Sequence, residues 1–178
     1  MVPEAPLERK DGALAPSGEG WFVLNAADAR WLTDEFGSYT RFEDLEAAKF
    51  AHLGIKVGVL EPGQPACMYH GEDEQEDFLV LSGECLLLIE GEERPLKQWD
   101  VVHCPPWTEH VFVGAGDGRC TLLAVGARRD GDVIYPVSEV AQRHGAGVQE
   151  ATTDPKVAYE GTKPSVPTEF DETWLPGG

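Results

Sequence analysis

The sequence predicts an all-β protein, a sandwich or closed barrel with short flanking helices and extended terminal arms. Short apolar runs recur through the middle of the chain, among them Phe78-Leu79-Val80-Leu81 and Val111-Phe112-Val113. Turn-forming clusters separate them, such as Glu61-Pro62-Gly63-Gln64-Pro65, Pro105-Pro106-Trp107 and Gly116-Asp117-Gly118. Many short strands with turn signals every 8–12 residues or so are the pattern of sandwiches and barrels. No internal repeat is present, so the pattern describes one barrel.

Taken in order, residues 1–20 are rich in Pro, Gly, Glu and Ala and read as a flexible N-terminal arm. Residues 21–128 hold the barrel with a strand and helix before it. Trp21-Phe22-Val23-Leu24 gives a strand signal, and Asn25 is placed to cap a helix from Ala26 to about Glu35 that ends before Gly37. Ser38 to Phe42 suits a strand, whereas Glu43 to His52 gives no clear signal. Ile55-Lys56-Val57-Gly58-Val59-Leu60 alternates as a strand does. Further strands are expected at Cys67–Glu72, Asp77–Leu81, Glu84–Glu90, Glu93–Leu96, Asp100–His103, His110–Val113 and Cys120–Val125. Residues 129–178 form a C-terminal extension with two short helices, one capped by Ser138 and stopped by Gly145, the other opened by Asp154-Pro155. Its Tyr159, Phe170 and Trp174 are apolar anchors, able to staple the tail to its own barrel or to a second subunit.

Composition narrows the partners. A formal charge of −18 over 178 residues disfavours nucleic acid and anionic membrane surfaces, because like charges repel. No apolar run is long enough to span a bilayer, and the amino terminus lacks a signal-peptide pattern, so a cytoplasmic location is expected. Cys67, Cys85, Cys104 and Cys120 sit singly in or beside apolar stretches, which points to reduced thiols rather than disulfides.

The chemistry concentrates between Pro62 and Gly114. His70 and Glu72 are two residues apart and project from one face of an extended chain. Glu76 precedes one apolar run and His110 opens another. Two imidazoles and two carboxylates on one barrel wall would make a mixed nitrogen and oxygen site for a divalent metal. His103 reads as a pocket-lining or supporting residue, Cys104 as a buried thiol with a place near such a metal as the lesser alternative, and Glu74 as an alternative to Glu72.

These residues resemble the two motifs of the cupin superfamily. In the first, His70 matches the leading histidine, and Glu76 followed by six residues and Gly83 matches its second half. In the second, Asp100 to Cys104, Pro105 and His110 reproduce the spacing. Three residues depart from the pattern: Glu72 replaces the second histidine, and Trp99 and Trp107 replace glycines, where they are expected to line or narrow the pocket. The resemblance covers roughly residues 55–127 and implies a double-stranded β-helix, or jelly-roll, barrel in a small single-domain cupin.

It also implies one divalent metal per chain (Fe, Mn or Zn) on His70, Glu72, Glu76 and His110, and a homodimer. A metal-dependent dioxygenase or other oxidoreductase is the leading expectation, ahead of a non-catalytic small-molecule binder or a sugar isomerase or epimerase. Tyr69, Phe78, Trp99, Trp107 and Phe112 surround the motifs and suit an apolar or ring-shaped ligand. Basic residues near the motifs are few (Lys56, Arg94, Lys97, Arg119), which counts against a sugar phosphate.

Overall fold

A computed structural model describes residues 1–10, 12–45, 48–128 and 131–175. The strands are β1 (Leu7–Lys10), β2 (Ala13–Pro16), β3 (Trp31–Asp34), β4 (Gly37–Arg41), β5 (Leu53–Leu60), β6 (Gly71–Glu72) and β7 (Glu76–Ser82). They continue with β8 (Glu84–Ile89), β9 (Glu92–Lys97), β10 (Val101–Cys104), β11 (His110–Ala115), β12 (Cys120–Ala127), β13 (Val133–Ile134) and β14 (Val166–Thr168). Two short helices, α1 (Glu139–Arg143) and α2 (Pro155–Ala158), follow the main barrel strands.

A seven-stranded sheet runs β10-β7-β12-β5-β4-β3-β14, and a three-stranded sheet runs β11-β8-β9. Their ladders do not merge into one closed barrel, and the two sheets make a jelly roll. Alternation explains the core. Leu87 and Phe112 turn inward and join Leu60, Val80, Val102 and Leu122 from the larger sheet in one apolar cluster. Their neighbours Leu88, Val111 and Val113 turn outward, yet they too are buried, because Ala141 of α1 and Ala146 cover them. The expected caps form: Ser138 Oγ accepts from the Ala141 N–H, and the Asp154 carboxylate accepts from the Lys156 N–H. The four cysteines are free thiols.

Sequence and structure part company around residues 21–35. Trp21 to Leu24 makes no strand, only a single bridge from Trp21 to Glu4. Asn25 caps as expected, but the helix it opens is a single 3-10 turn over Ala26–Asp28. Trp31 to Asp34 then forms β3 instead of continuing a helix to Glu35. Trp31 is 2% exposed and packs on Trp174, with ring centroids 4.9 Å apart. Asp34 closes the β3–β4 hairpin by accepting from the Phe36 N–H at 2.8 Å. Packing and a sheet ladder thus override a cap and a weak helical stripe. Residues 1–20 contain the β1–β2 hairpin and the buried Ala5. Two short strands unexpected from the sequence, β13 and β14, pair with β6 and β3. Parts of two other expectations, residues 46–47 of the Glu43–His52 segment and residues 129–130 and 176–178 of the C-terminal extension, lie outside the described residues.

Candidate metal centre

His70 and His110 lie side by side because their backbones form an antiparallel bridge. The His70 N–H donates to the His110 carbonyl at 3.2 Å, and the His110 N–H donates to the His70 carbonyl at 2.8 Å. Their ring centroids are 5.2 Å apart. Glu76, the first residue of β7, reaches them from the larger sheet. Its Oε2 is 3.4 Å from His110 Nε2 and 3.9 Å from His70 Nε2. One ligand atom from each of His70, Glu76 and His110 fits within 4.8 Å of the others.

The imidazoles are oriented from behind. His70 Nδ1 lies 2.8 Å from the Met68 carbonyl, and His110 Nδ1 lies 3.0 Å from the Thr108 carbonyl. An Nδ1–H donating to each carbonyl leaves both Nε2 atoms facing Glu76. That is the tautomer and orientation a metal-ligating histidine adopts. The trio therefore fits a divalent ion in donor type, spacing and support.

Glu72, the fourth residue expected at the site, stands beside this trio. Its Oε1 is 3.4 Å from His70 Nε2, and its side chain is 39% exposed. Glu72 lines both the cavity with the histidines and a smaller neighbouring one, and Glu74 lines the neighbouring one.

Burial and neighbouring charges set the titration of all four residues. Burial, then the nearby Glu72, raises the Glu76 carboxyl to about 7. Burial also lowers His110 to about 4. Burial opposes charge on His70 as well, but Cys67, Glu72 and Glu76 outweigh it and raise its pKa well above the usual value. The His70 partner in turn holds Glu72 below the ordinary carboxylate range, against the opposing effect of burial.

The trio opens into a cavity of about 450 Å³. Phe78, Phe112 and Leu122 give it apolar lining, and Tyr135 and Tyr159 of the C-terminal extension line it as well. Other expected pocket residues are elsewhere. Tyr69 is 1% exposed in the layer under α1. Trp99 and Trp107 are exposed and do not line the cavity. Both adopt positive φ, 75° and 69°, the left-handed conformation for which the motif glycines are suited. They replace those glycines in backbone but turn their rings to solvent.

His103 is also on the surface, where its Nδ1 meets Asp77 Oδ1 at 2.6 Å. Cys104 is buried in the apolar core, which together with nearby acids pushes its thiol up to about 12. The thiol at the site is Cys67 instead, its sulfur 3.7 Å from His70 Nδ1. Sequence reading missed Tyr39 and Arg41 on the cavity wall. Their same-face spacing was visible, but the register that aims β4 inward was not.

The comparisons agree with this architecture. The Cupin domain family, Cupin_2, matches residues 56–126. No curated protein matches the chain. Among solved structures, a proposed sugar phosphate isomerase of Acidithiobacillus ferrooxidans is 29% identical, with a TM-score of 0.50, over 56% of this chain and 66% of its own. A sugar phosphate isomerase of Silicibacter pomeroyi is 27% identical with a TM-score of 0.49, over 55% of this chain and 64% of its own. A Cupin 2 conserved barrel domain protein of Salinispora arenicola is 24% identical with a TM-score of 0.51, over 61% of this chain and 89% of its own. This chain thus spans just under two thirds of the two isomerase structures. Motifs, jelly roll and family match converge on one stretch: residues 56–126 form a cupin domain.

Proposed function

We propose that this cupin is a metal-dependent enzyme of isomerase type, acting on a small hydroxylated carbonyl compound. The observation that carries the reading is the His70–Glu76–His110 trio opening on a cavity, with a further carboxylate, Glu72, beside it. His70, Glu76 and His110 would hold one divalent ion (iron, manganese or zinc), which when bound supplies polarisation of the substrate carbonyl. Glu72 is the proton carrier. It takes a proton from the carbon next to the carbonyl and returns it to the former carbonyl carbon, while the hydroxyl proton passes to the carbonyl oxygen. Substrate and product are then isomers, and no other reactant is consumed. Phe78, Phe112 and Leu122 line the same cavity and give the substrate an apolar wall to lie against. The 29% identity to a proposed sugar phosphate isomerase supports the substrate class.

This divides the four residues His70, Glu72, Glu76 and His110 into three ligands and one acid–base group. The test is proton exchange into aldose and ketose substrates in heavy water, with the metal-loaded protein. Glu72→Gln is expected to lower kcat at least 100-fold with metal content unchanged. Exchange that survives this substitution contradicts the assignment. A second reading, a dioxygenase, is favoured by the trio itself, since two histidines and one carboxylate also suit non-haem iron. Oxygen uptake without proton exchange would select it, and neither activity would leave a binding protein.

We further propose a homodimer joined along the open edge of β10, where Trp99 and Val101 are 63% and 70% exposed. Sedimentation should show a dimer that Val101→Glu dissociates; an unchanged dimer would place the interface elsewhere.

A further inference from the structure

The inward face of β5 reads Gly54, Lys56, Gly58, Leu60, and each of these residues lines the cavity. Lys56 is directly opposite Arg41 in the β4–β5 ladder. Both cations lie over one ring: the Lys56 ammonium is 4.7 Å and the Arg41 guanidinium 5.3 Å from the centroid of Tyr39. That ring is anchored. The Tyr39 hydroxyl donates to Ser165 Oγ at 3.0 Å, and the Ser165 hydroxyl donates to Asp34 Oδ2 at 2.6 Å.

Like charges directly opposite in an antiparallel pair destabilise a sheet. Here the chain has 32 acidic residues against 14 basic ones, so counter-ions are plentiful. Even so, among the described residues no carboxylate lies within ion-pair distance of Arg41 or Lys56. Asp34 and Glu76 act on Lys56 only through the longer-range field, and Asp34 is already engaged by Ser165 and the Phe36 N–H. Arg128, a third cation on the wall, behaves oppositely: it is paired with Glu43, which also holds the Phe50 N–H. Burial, with a smaller push from Arg41, lowers the pKa of Lys56 against the opposing field of Cys67. Gly58 leaves open space beside it, where an added Cβ would meet only Lys56 Cε at 3.9 Å.

We propose that Arg41 and Lys56, set on the Tyr39 ring, form an oxyanion subsite that holds a carboxylate or phosphate of the molecule in the cavity. The strand order places β5 two strands and β4 three strands from the β7 that carries Glu76. At about 4.8 Å per strand, that is a span of roughly 10–14 Å, suited to a short acid or phosphoester with its oxygens toward the histidines. A guanidinium and an ammonium both make charge-assisted hydrogen bonds to such groups. The subsite rests on reading the cavity as the substrate site, and it does not depend on the metal.

The test is calorimetric titration of the full-length protein with inorganic phosphate and, separately, malonate, after chelator treatment and again after metal loading. One anion per chain should bind the chelator-treated protein. Affinity should fall at least tenfold in Lys56→Gln and in Arg41→Gln, and recover in Lys56→Arg, each checked for cooperative unfolding. Tighter phosphate assigns a phosphoester, and tighter malonate a carboxylic acid. No binding by the wild type, or equal binding by both Gln variants, overturns the subsite. Binding that appears only after metal loading also overturns it but leaves the metal centre standing. Anion binding by a chain that takes up no metal keeps the subsite and removes the metal centre.

Discussion

Glu76 shows what the site costs when no metal is bound. Its carboxyl is raised from 4.5 to about 7 by burial and by Glu72. A raised acid favours the folded state fully below the unfolded value, and that contribution is lost as pH climbs through the folded value. Metal-free protein should therefore lose on the order of 2–3 kcal/mol between about pH 4.5 and 8 from this residue. Glu76→Gln removes this titrating carboxyl. Thermal melts should show the metal-free variant more stable than wild type at pH 8, with the gap closing near pH 5. His110, lowered to about 4, gives the opposite slope on the acid side, so the comparison is read between pH 7 and 8. A gap that is constant with pH would contradict the buried, raised carboxyl.

At the scale of the element, glycines show why the first motif closes as it does. Gly83 joins β7 to β8 at φ 74°, and a Cβ there would meet the Arg119 carbonyl at 2.1 Å. Gly91, in the β8–β9 turn, has φ 77° with open space around it. Gly91→Ala should therefore cost about 1 kcal/mol from backbone conformation alone. Gly83→Ala adds a backbone collision, and its melting temperature should fall at least twice as far.

Most barrel strands and the placing of His70, Glu76 and His110 together were legible because alternation, turn residues and motif spacing act locally; of the strand expected at Cys67–Glu72, only Gly71–Glu72 forms, with a bridge at His70. The β3 strand was not legible, because its decisive partner, Trp174, is far along the chain. Trp99 and Trp107 were misplaced for another reason: spacing fixes where the backbone turns, not which way an oversized ring points. Arg41 was overlooked because only the β4–β5 register brings it opposite Lys56.

The whole molecule is tied together by the segment from Phe170 to Trp174. Trp174 is 8% exposed, packs on Trp31 and Phe170, and its carbonyl accepts from the Thr121 hydroxyl at 2.5 Å. Arg119 fixes the same segment through Asp171 at 3.2 Å. Of the two roles the sequence allowed for the tail, the structure shows the staple to its own barrel. Trp174→Ala should cost roughly 3–5 kcal/mol and lower the melting temperature on the order of 10 °C. A smaller change than 1 °C would mean that the tail is not part of the fold. No helix among the described residues is long and apolar enough to cross a membrane.

The central claim is that His70, Glu76 and His110 hold one divalent ion. Its most direct test is metal titration of the chelator-treated full-length protein, with bound metal counted by elemental analysis. The account predicts one ion per chain for wild type and for His103→Ala, whose histidine pairs with Asp77 on the surface. It predicts at least a 100-fold loss of affinity in His110→Ala and Glu76→Gln. Wild type that takes up no metal, or His110→Ala that binds as wild type does, would contradict it.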